Sequence, residues 1–178
     1  MSERDTAAES EAEREVSLRA EKTAELVIEK LKKLSLKLVL AESCTAGLVS
    51  GLLANTSGAS SVLWGSFVCY TQEAKVSMLA LDNDALNAHG LVSRETACSM
   101  AQGALQNSGA DIAVSVTGLA GPDGDGRAKV GTIWTAVALR GGKIEPKEFF
   151  FTGSRNLVRI HAVNSALEII LNKLSETA

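Results

Sequence analysis

The chain is predicted to be an α/β domain, with helices on both faces of a mixed, mostly parallel sheet of about five strands and a long N-terminal helix. Three features predict this. Short apolar runs alternate with segments of helical period, which implies a sheet covered on both faces. Residues 11–34 contain neither Gly nor Pro, so they read as one long helix. Gly141-Gly142 separates two strand-like runs near the end, and a closing hairpin makes the sheet mixed.

In chain order, Val16, Leu18, Ala20, Leu26, Val27, Leu31 and Leu34 keep helical spacing from Glu11 onward in an acidic segment. Residues 1–10 offer little to bury and are expected to form a disordered tail, leaving 11–178 as a single domain. Lys37–Ala41 reads as a buried strand. It runs into Glu42-Ser43-Cys44-Thr45-Ala46-Gly47, where a tight turn and a helix N-terminus are expected. Residues 55–60 are a loop by composition. Ser66–Tyr70 reads as the second strand, followed by a short helix over 71–79. Ser93 is a suitable N-cap for a helix reaching Gln106. Asp111–Thr117 is a third strand, apolar enough for burial on both faces, and a glycine-rich loop from Gly118 to Gly131 leads to a fourth, Thr132–Leu139. Glu148–Thr152 is the expected hairpin partner, and Ser154 caps a last helix carrying Val158, Ala162, Ala166, Ile169 and Ile170 at 3.6-residue period.

Bulk properties exclude several classes. With 178 residues, 46% hydrophobic and 22% charged, the chain can bury a core like an ordinary globular domain. A net charge of -3 without a basic stripe gives no reason to expect a nucleic-acid partner. No apolar run is long enough to span a bilayer, and the polar, acidic start lacks the pattern of a signal peptide, so no membrane partner and a cytoplasmic location are expected. Cys44, Cys69 and Cys98 are odd in number and lack metal-ligand spacing, which argues against a disulfide framework or a zinc site. The mixed face of residues 11–33 suits self-association, and a homo-oligomer is expected.

A serine placed after a buried strand at a helix start is well sited for nucleophilic attack, because free N–H groups there can hold an oxyanion. Capping is the commoner role for Ser43 or Thr45 in such a place. Lys75 is the only lysine between Lys37 and Lys129, five residues beyond Tyr70. If both strands end at one sheet edge, Ser43, Tyr70 and Lys75 converge, and a desolvated amine can deprotonate a serine. A solvated lysine beside Glu73 is the plainer alternative. The loop from Gly118 to Gly126 could cradle a phosphate through its backbone. It is not a Walker A loop, since Arg127 and Ala128 stand where Lys and Ser/Thr belong, and not an EF-hand, since Trp134 stands where a bidentate Glu belongs. His89, in an expected loop, and His161, inside the last helix, have no partner motif, which removes a serine–histidine triad. Cys69 and Cys98 read as core residues, while Cys44 is a competing nucleophile, because a helix N-terminus lowers a thiol pKa.

The segments Ala41-Glu42-Ser43-Cys44-Thr45-Ala46-Gly47, Tyr70-Thr71-Gln72-Glu73-Ala74-Lys75, Ser115 through Gly124 and Val130-Gly131-Thr132 together resemble the CinA C-terminal domain family, from about Ala20 to Leu174. Its enzymatic members are nicotinamide-nucleotide amidohydrolases. The resemblance implies a three-layer α/β/α fold and hydrolysis of nicotinamide mononucleotide to nicotinate mononucleotide and ammonia, in pyridine nucleotide recycling, without a metal or other cofactor. By position, the family's nucleophilic serine falls on Ser43, its lysine on Lys75, its tyrosine on Tyr70 and its central threonine on Thr117. Cys44 and Thr45 are expected to offer backbone N–H groups, and Thr117, Gly118, Gly121 and Arg155 to contact substrate. Longer relatives carry an extra N-terminal domain, and this chain looks like the stand-alone form. It departs from the family pattern at Ala46, Lys129 and Ser154, where Gly, Pro and Asp are usual; substrate preference is the property these changes touch. The alternative from another class is a non-catalytic nucleotide-binding or interaction module linked to competence or DNA damage. The trio of Ser43, Tyr70 and Lys75 argues against it.

Overall fold

Nothing in residues 3–34 opposes a helix, and in the computed structural model, which describes residues 3–176, they form one: α1, Glu3–Leu34. The remaining elements are β1 (Leu38–Glu42), α2 (Leu48–Ala54), β2 (Leu63–Val68), α3 (Gln72–Leu79), α4 (Asn83–His89), α5 (Arg94–Gln106), β3 (Ile112–Gly118), β4 (Thr132–Leu139), β5 (Ile144–Phe150) and α6 (Arg155–Glu176). The sheet order is β2-β1-β3-β4-β5. β1 pairs in parallel with β2 and β3, whereas β3–β4 and β4–β5 are antiparallel, so β4 alone runs against the other four.

α1, α2 and α6 cover one face of this sheet and α3, α4 and α5 the other, giving three layers. The first face holds the larger core. There Ala20, Ala24, Val27, Ile28 and Leu31 of α1 meet Ala162, Ala166, Leu167 and Ile170 of α6. Alanines along both stripes let the two helices approach closely. Leu18 and Leu26, which the spacing alone places with the core, are exposed because the buried stripe runs through the alanines instead.

Several boundaries differ from the sequence expectation. α1 starts at Glu3 rather than Glu11, so residues 3–10 are helical where a disordered tail was expected; Met1 and Ser2 lie outside the described residues. Polar contacts tie the first part of the helix down: Glu9 accepts from the Ser154 N–H, and Glu13, one turn on, accepts from Ser154 Oγ at 3.3 Å and Asn156 Nδ2 at 2.8 Å. α4 replaces the loop expected around His89. Its N-cap Asp82 accepts from the Asp84 and Ala85 N–H groups, a signal hidden in a short polar segment. β5 spans 144–150 rather than 148–152 and runs through Pro146, which is tolerated because β5 is an edge strand. β2 spans 63–68 rather than 66–70, and Trp64 bulges between the pairs Leu38–Leu63 and Val39–Gly65.

The glycine-rich loop is anchored where only glycine fits. A Cβ on Gly118 would lie 2.3 Å from Ile133 Cδ1, and one on Gly131, at φ +96°, would lie 1.9 Å from the Phe151 carbonyl oxygen. Both ends of the loop are thereby pressed against β4 and the chain after β5.

The α1 stripe makes a discriminating prediction. Leu31→Ala, fully buried, should cost about 3 kcal/mol in urea unfolding, whereas Leu26→Ala, 51% exposed, should stay within about 0.5 kcal/mol of wild type. Equal losses would mean that α1 packs through another face.

Candidate active site

Register brings the candidate residues together. Glu42, the last residue of β1, is level with Val68 on β2 and Val116 on β3, so Ser43 and Cys69 leave the sheet side by side, next to Thr117, which continues β3. Backbone bonds hold them there: Ser43 N–H to Val116 O and Cys69 N–H to Glu42 O, both 2.9 Å. The connection after β1 crosses one face and the connection into β3 crosses the other. The crevice at the carboxyl ends of β1 and β3 is therefore a switch point, the usual ligand position in such sheets. A cleft of about 180 Å³ opens there, lined among others by Ser43, Cys44, Tyr70, Lys75, Thr117 and Arg155.

Lys75 is not a solvated neighbour of Glu73. Thr71 caps α3 by accepting from the Ala74 N–H, and the helix then carries Lys75 inward until its side chain is 1% exposed. Its Nζ donates to Ser43 Oγ and to the Cys69 carbonyl oxygen, each at 2.9 Å. Among the described residues no carboxylate forms an ion pair with it. Burial disfavours the ammonium form and holds the Lys75 pKa below the ordinary lysine value, only partly opposed by the nearby Cys69 and Cys44 thiols. A neutral amine at this position can accept the Ser43 proton while it still donates to Cys69.

The turn carrying Ser43 is built differently from the expectation. α2 begins at Leu48, so Ser43 lies in a turn rather than at a helix start, and the N-cap position is occupied by Gly47 without a side-chain cap. The cap comes from Glu42, fully buried, whose carboxylate accepts from Thr45 Oγ1, the N–H groups of Gly47, Val49 and Ser50, and Ser66 Oγ, all at 2.9–3.0 Å. Sequence reasoning treated Glu42 as the residue before the nucleophile. A carboxylate ending an otherwise apolar strand was the available signal. Arg159 was also missed: from α6 its Nε and Nη2 donate to the Cys44 and Thr45 carbonyl oxygens at 2.9 and 3.2 Å. Its only sequence mark is its spacing, one helical turn after Arg155.

The other candidates divide. Tyr70 does not bridge Lys75 and Ser43; half exposed at the cleft mouth, its hydroxyl accepts from Arg155 Nη2 at 2.8 Å. Arg155 Nη1 also donates to the Gly121 carbonyl at 2.6 Å, which ties the glycine loop to the start of α6. Thr117 lines the cleft, but its hydroxyl is committed to the Leu91 carbonyl at 2.7 Å. Gly118 lines the cleft, whereas Gly121 and Thr45 do not, and the Thr45 side chain is spent on Glu42. Cys44 lines the cleft, yet burial pushes its thiol pKa up to about 12, so the activation expected from a helix N-terminus is absent. Cys69 is buried in the core and His161 stacks on Phe151 at 4.7 Å. Among the described residues no cluster of His, Cys, Asp or Glu could hold a metal ion, and no helix is long and apolar enough to cross a membrane.

The buried amine should be visible in stability. Its folded-state pKa lies below its unfolded value, so between the two the unfolded chain binds more protons and wild-type stability rises with pH. Met cannot titrate. Urea melts at successive alkaline pH values should show Lys75→Met losing ground relative to wild type as pH climbs toward the ordinary lysine value. A difference that stays flat would mean the amine is not desolvated.

Comparison with known proteins places the chain in a family. The model of the CinA C-terminal domain matches residues 20–174. A CinA-like protein of Syntrophomonas wolfei is 42% identical over 139 residues, 78% of this chain and 33% of its own length. Another CinA-like protein, of Dictyoglomus thermophilum, is 38% identical over 147 residues, 82% of this chain and 36% of its own length. This chain thus spans about a third of the length of these curated relatives. Among solved structures, the competence/damage inducible protein CihA of Agrobacterium tumefaciens superimposes with a TM-score of 0.84 at 39% identity, covering 88% of this chain and 96% of that one. A CinA superfamily protein of Klebsiella pneumoniae gives 0.85 at 31% identity, covering 88% and 98%. With the family model matching most of its length, the chain belongs to the CinA C-terminal domain family.

Proposed function

We propose that this chain is a serine–lysine amidohydrolase that converts nicotinamide mononucleotide to nicotinate mononucleotide and ammonia. One observation carries the reading: a buried amine, without a carboxylate partner, 2.9 Å from the hydroxyl of Ser43. A structural lysine gains nothing from such a place. An amine that must take a proton from a serine needs it.

In the proposed reaction, neutral Lys75 removes the Ser43 proton as Oγ attacks the carboxamide carbon. The carbonyl oxygen takes the negative charge and is held at the turn by the Cys44 N–H. Lys75 returns the proton to the departing nitrogen, and ammonia leaves an acyl-enzyme. Water, deprotonated by the same amine, then releases the carboxylate product. Tyr70 stands outside this relay. With Arg155 and the Gly118–Ala120 segment it forms the cleft mouth, where a guanidinium suits the ribose phosphate and orients the reacting group. Self-association belongs to the same proposal, supported by the exposed Leu18 and Leu26 on α1 and Leu48 on α2. The names of relatives that refer to competence and damage describe those proteins. A module that binds without turnover has no use for a poised amine.

Incubating the full chain with nicotinamide mononucleotide should release ammonia. Ser43→Ala and Lys75→Met should each reduce kcat by a factor on the order of a thousand. The wild-type rate should rise with pH through one ionisation lying below the ordinary lysine value. No ammonia from wild type, or activity surviving in Ser43→Ala, would refute the assignment.

A further inference from the structure

The turn that presents Ser43 is held from two sides by opposite charges. Glu42 collects donors: three backbone N–H groups and two hydroxyls. Arg159 collects acceptors, the carbonyl oxygens of Cys44 and Thr45. Because a trans peptide sets its N–H antiparallel to its C=O, drawing the Cys44 carbonyl toward Arg159 turns the Thr45 N–H away from it. The Ser43 carbonyl, which accepts from the Ala46 N–H at 3.0 Å, sets the Cys44 N–H in the same manner. Among the described residues neither the Cys44 nor the Thr45 N–H donates to another residue, although the Ser43, Ala46 and Gly47 N–H groups of the same turn all do. Unused donors beside a nucleophile are what a developing oxyanion requires.

We infer that Arg159 is a positioning residue for the oxyanion site: by holding the Cys44 and Thr45 carbonyl oxygens it fixes the two peptide planes that follow Cys44, and the Ala46 N–H of the second holds the Ser43 carbonyl, so that the Cys44 N–H on that peptide is set toward the oxygen that gains charge when Ser43 attacks. This rests on the serine–lysine reading of the site and adds a residue to it that touches neither substrate nor dyad. Arg159 does not line the cleft, whereas Arg155, four residues earlier on α6, does. The two arginines therefore divide their tasks along one helix face, Arg155 at the mouth and Arg159 beneath the turn. Lysine cannot reproduce the clamp, because a single ammonium lacks the planar fork that reaches two successive carbonyls. The positive charge also reaches the turn, since Arg159 draws the Cys44 thiol pKa down against the burial that raises it.

A small fluorophosphonate tests this without the natural substrate. Ser43 Oγ bonds to phosphorus, fluoride leaves, the serine proton passes to Lys75, and the phosphoryl oxygen takes the place of the oxyanion. Labelling of Ser43 in full-length Arg159→Met should slow at least about tenfold, with Arg159→Lys between it and wild type, as expected for weakened oxyanion donors. Melting temperature and the midpoint of the labelling pH profile should stay at wild-type values, because the Ser43–Lys75 contact is untouched. With nicotinamide mononucleotide the same variants should lose kcat and keep KM. Labelling within twofold of wild type in Arg159→Met would overturn the inference. So would a shifted pH midpoint or a lost fold in both variants, since the arginine would then act through the dyad or through general stability. A wild type that reacts with the phosphonate but leaves nicotinamide mononucleotide intact would refute the substrate and leave the Arg159 comparison valid.

Discussion

Burying one amine constrains the rest of this molecule. Lys75 lies in the interior with two neutral acceptors, Ser43 Oγ and the Cys69 carbonyl, and among the described residues no carboxylate pairs with it. Desolvating a cation costs on the order of several kcal/mol, so the arrangement persists only with the amine biased toward neutrality and rigid surroundings. The rigidity comes from the sheet. β1 ends level with β2 and two residues short of β3, and backbone bonds across that edge fix Ser43 and Cys69 before any side chain is considered.

The same edge explains why the nucleophile sits in a turn rather than at a helix start. A helix beginning at Ser43 would carry the chain away immediately. Instead residues 43–47 curl over the strand ends, with Ala46 and Gly47 both at positive φ, and Glu42 satisfies the donors the curl leaves unpaired. An extra methyl group at Ala46, where the family usually has glycine, is accommodated in this left-handed conformation at a modest strain. α6 completes the construction by reaching over with Arg155 and Arg159, and α1 holds the start of α6 through Glu9 and Glu13. The elements most distant in sequence from Ser43 thus shape its surroundings.

Legibility from the chain followed the strength of local pattern. The fourth strand, the Ser93 cap and the doubly buried third strand were readable because each carries its own period or capping residue. The fifth strand was displaced because Pro146 argues against a strand unless its edge position is known, and α4 was missed because one apolar residue, Leu86, among six polar or small ones shows no period. Ser43 and Lys75 could be paired only as a condition on where two strands end. Tyr70 was expected to converge with Ser43 and Lys75 at one sheet edge. In space its hydroxyl turns outward to an arginine 85 residues away.

By itself the sequence determined the layers, the strand count, the position of the nucleophile after the first strand and the glycines that bound the loop, since these depend on residue type and short-range spacing. The pairing of Ser43 with Lys75, the withdrawal of Tyr70 from it, and the Glu42 and Arg159 clamp were decided only by tertiary structure. Each depends on strand register and on one helix reaching another element's turn, and long-range geometry of that kind leaves no local pattern in the chain.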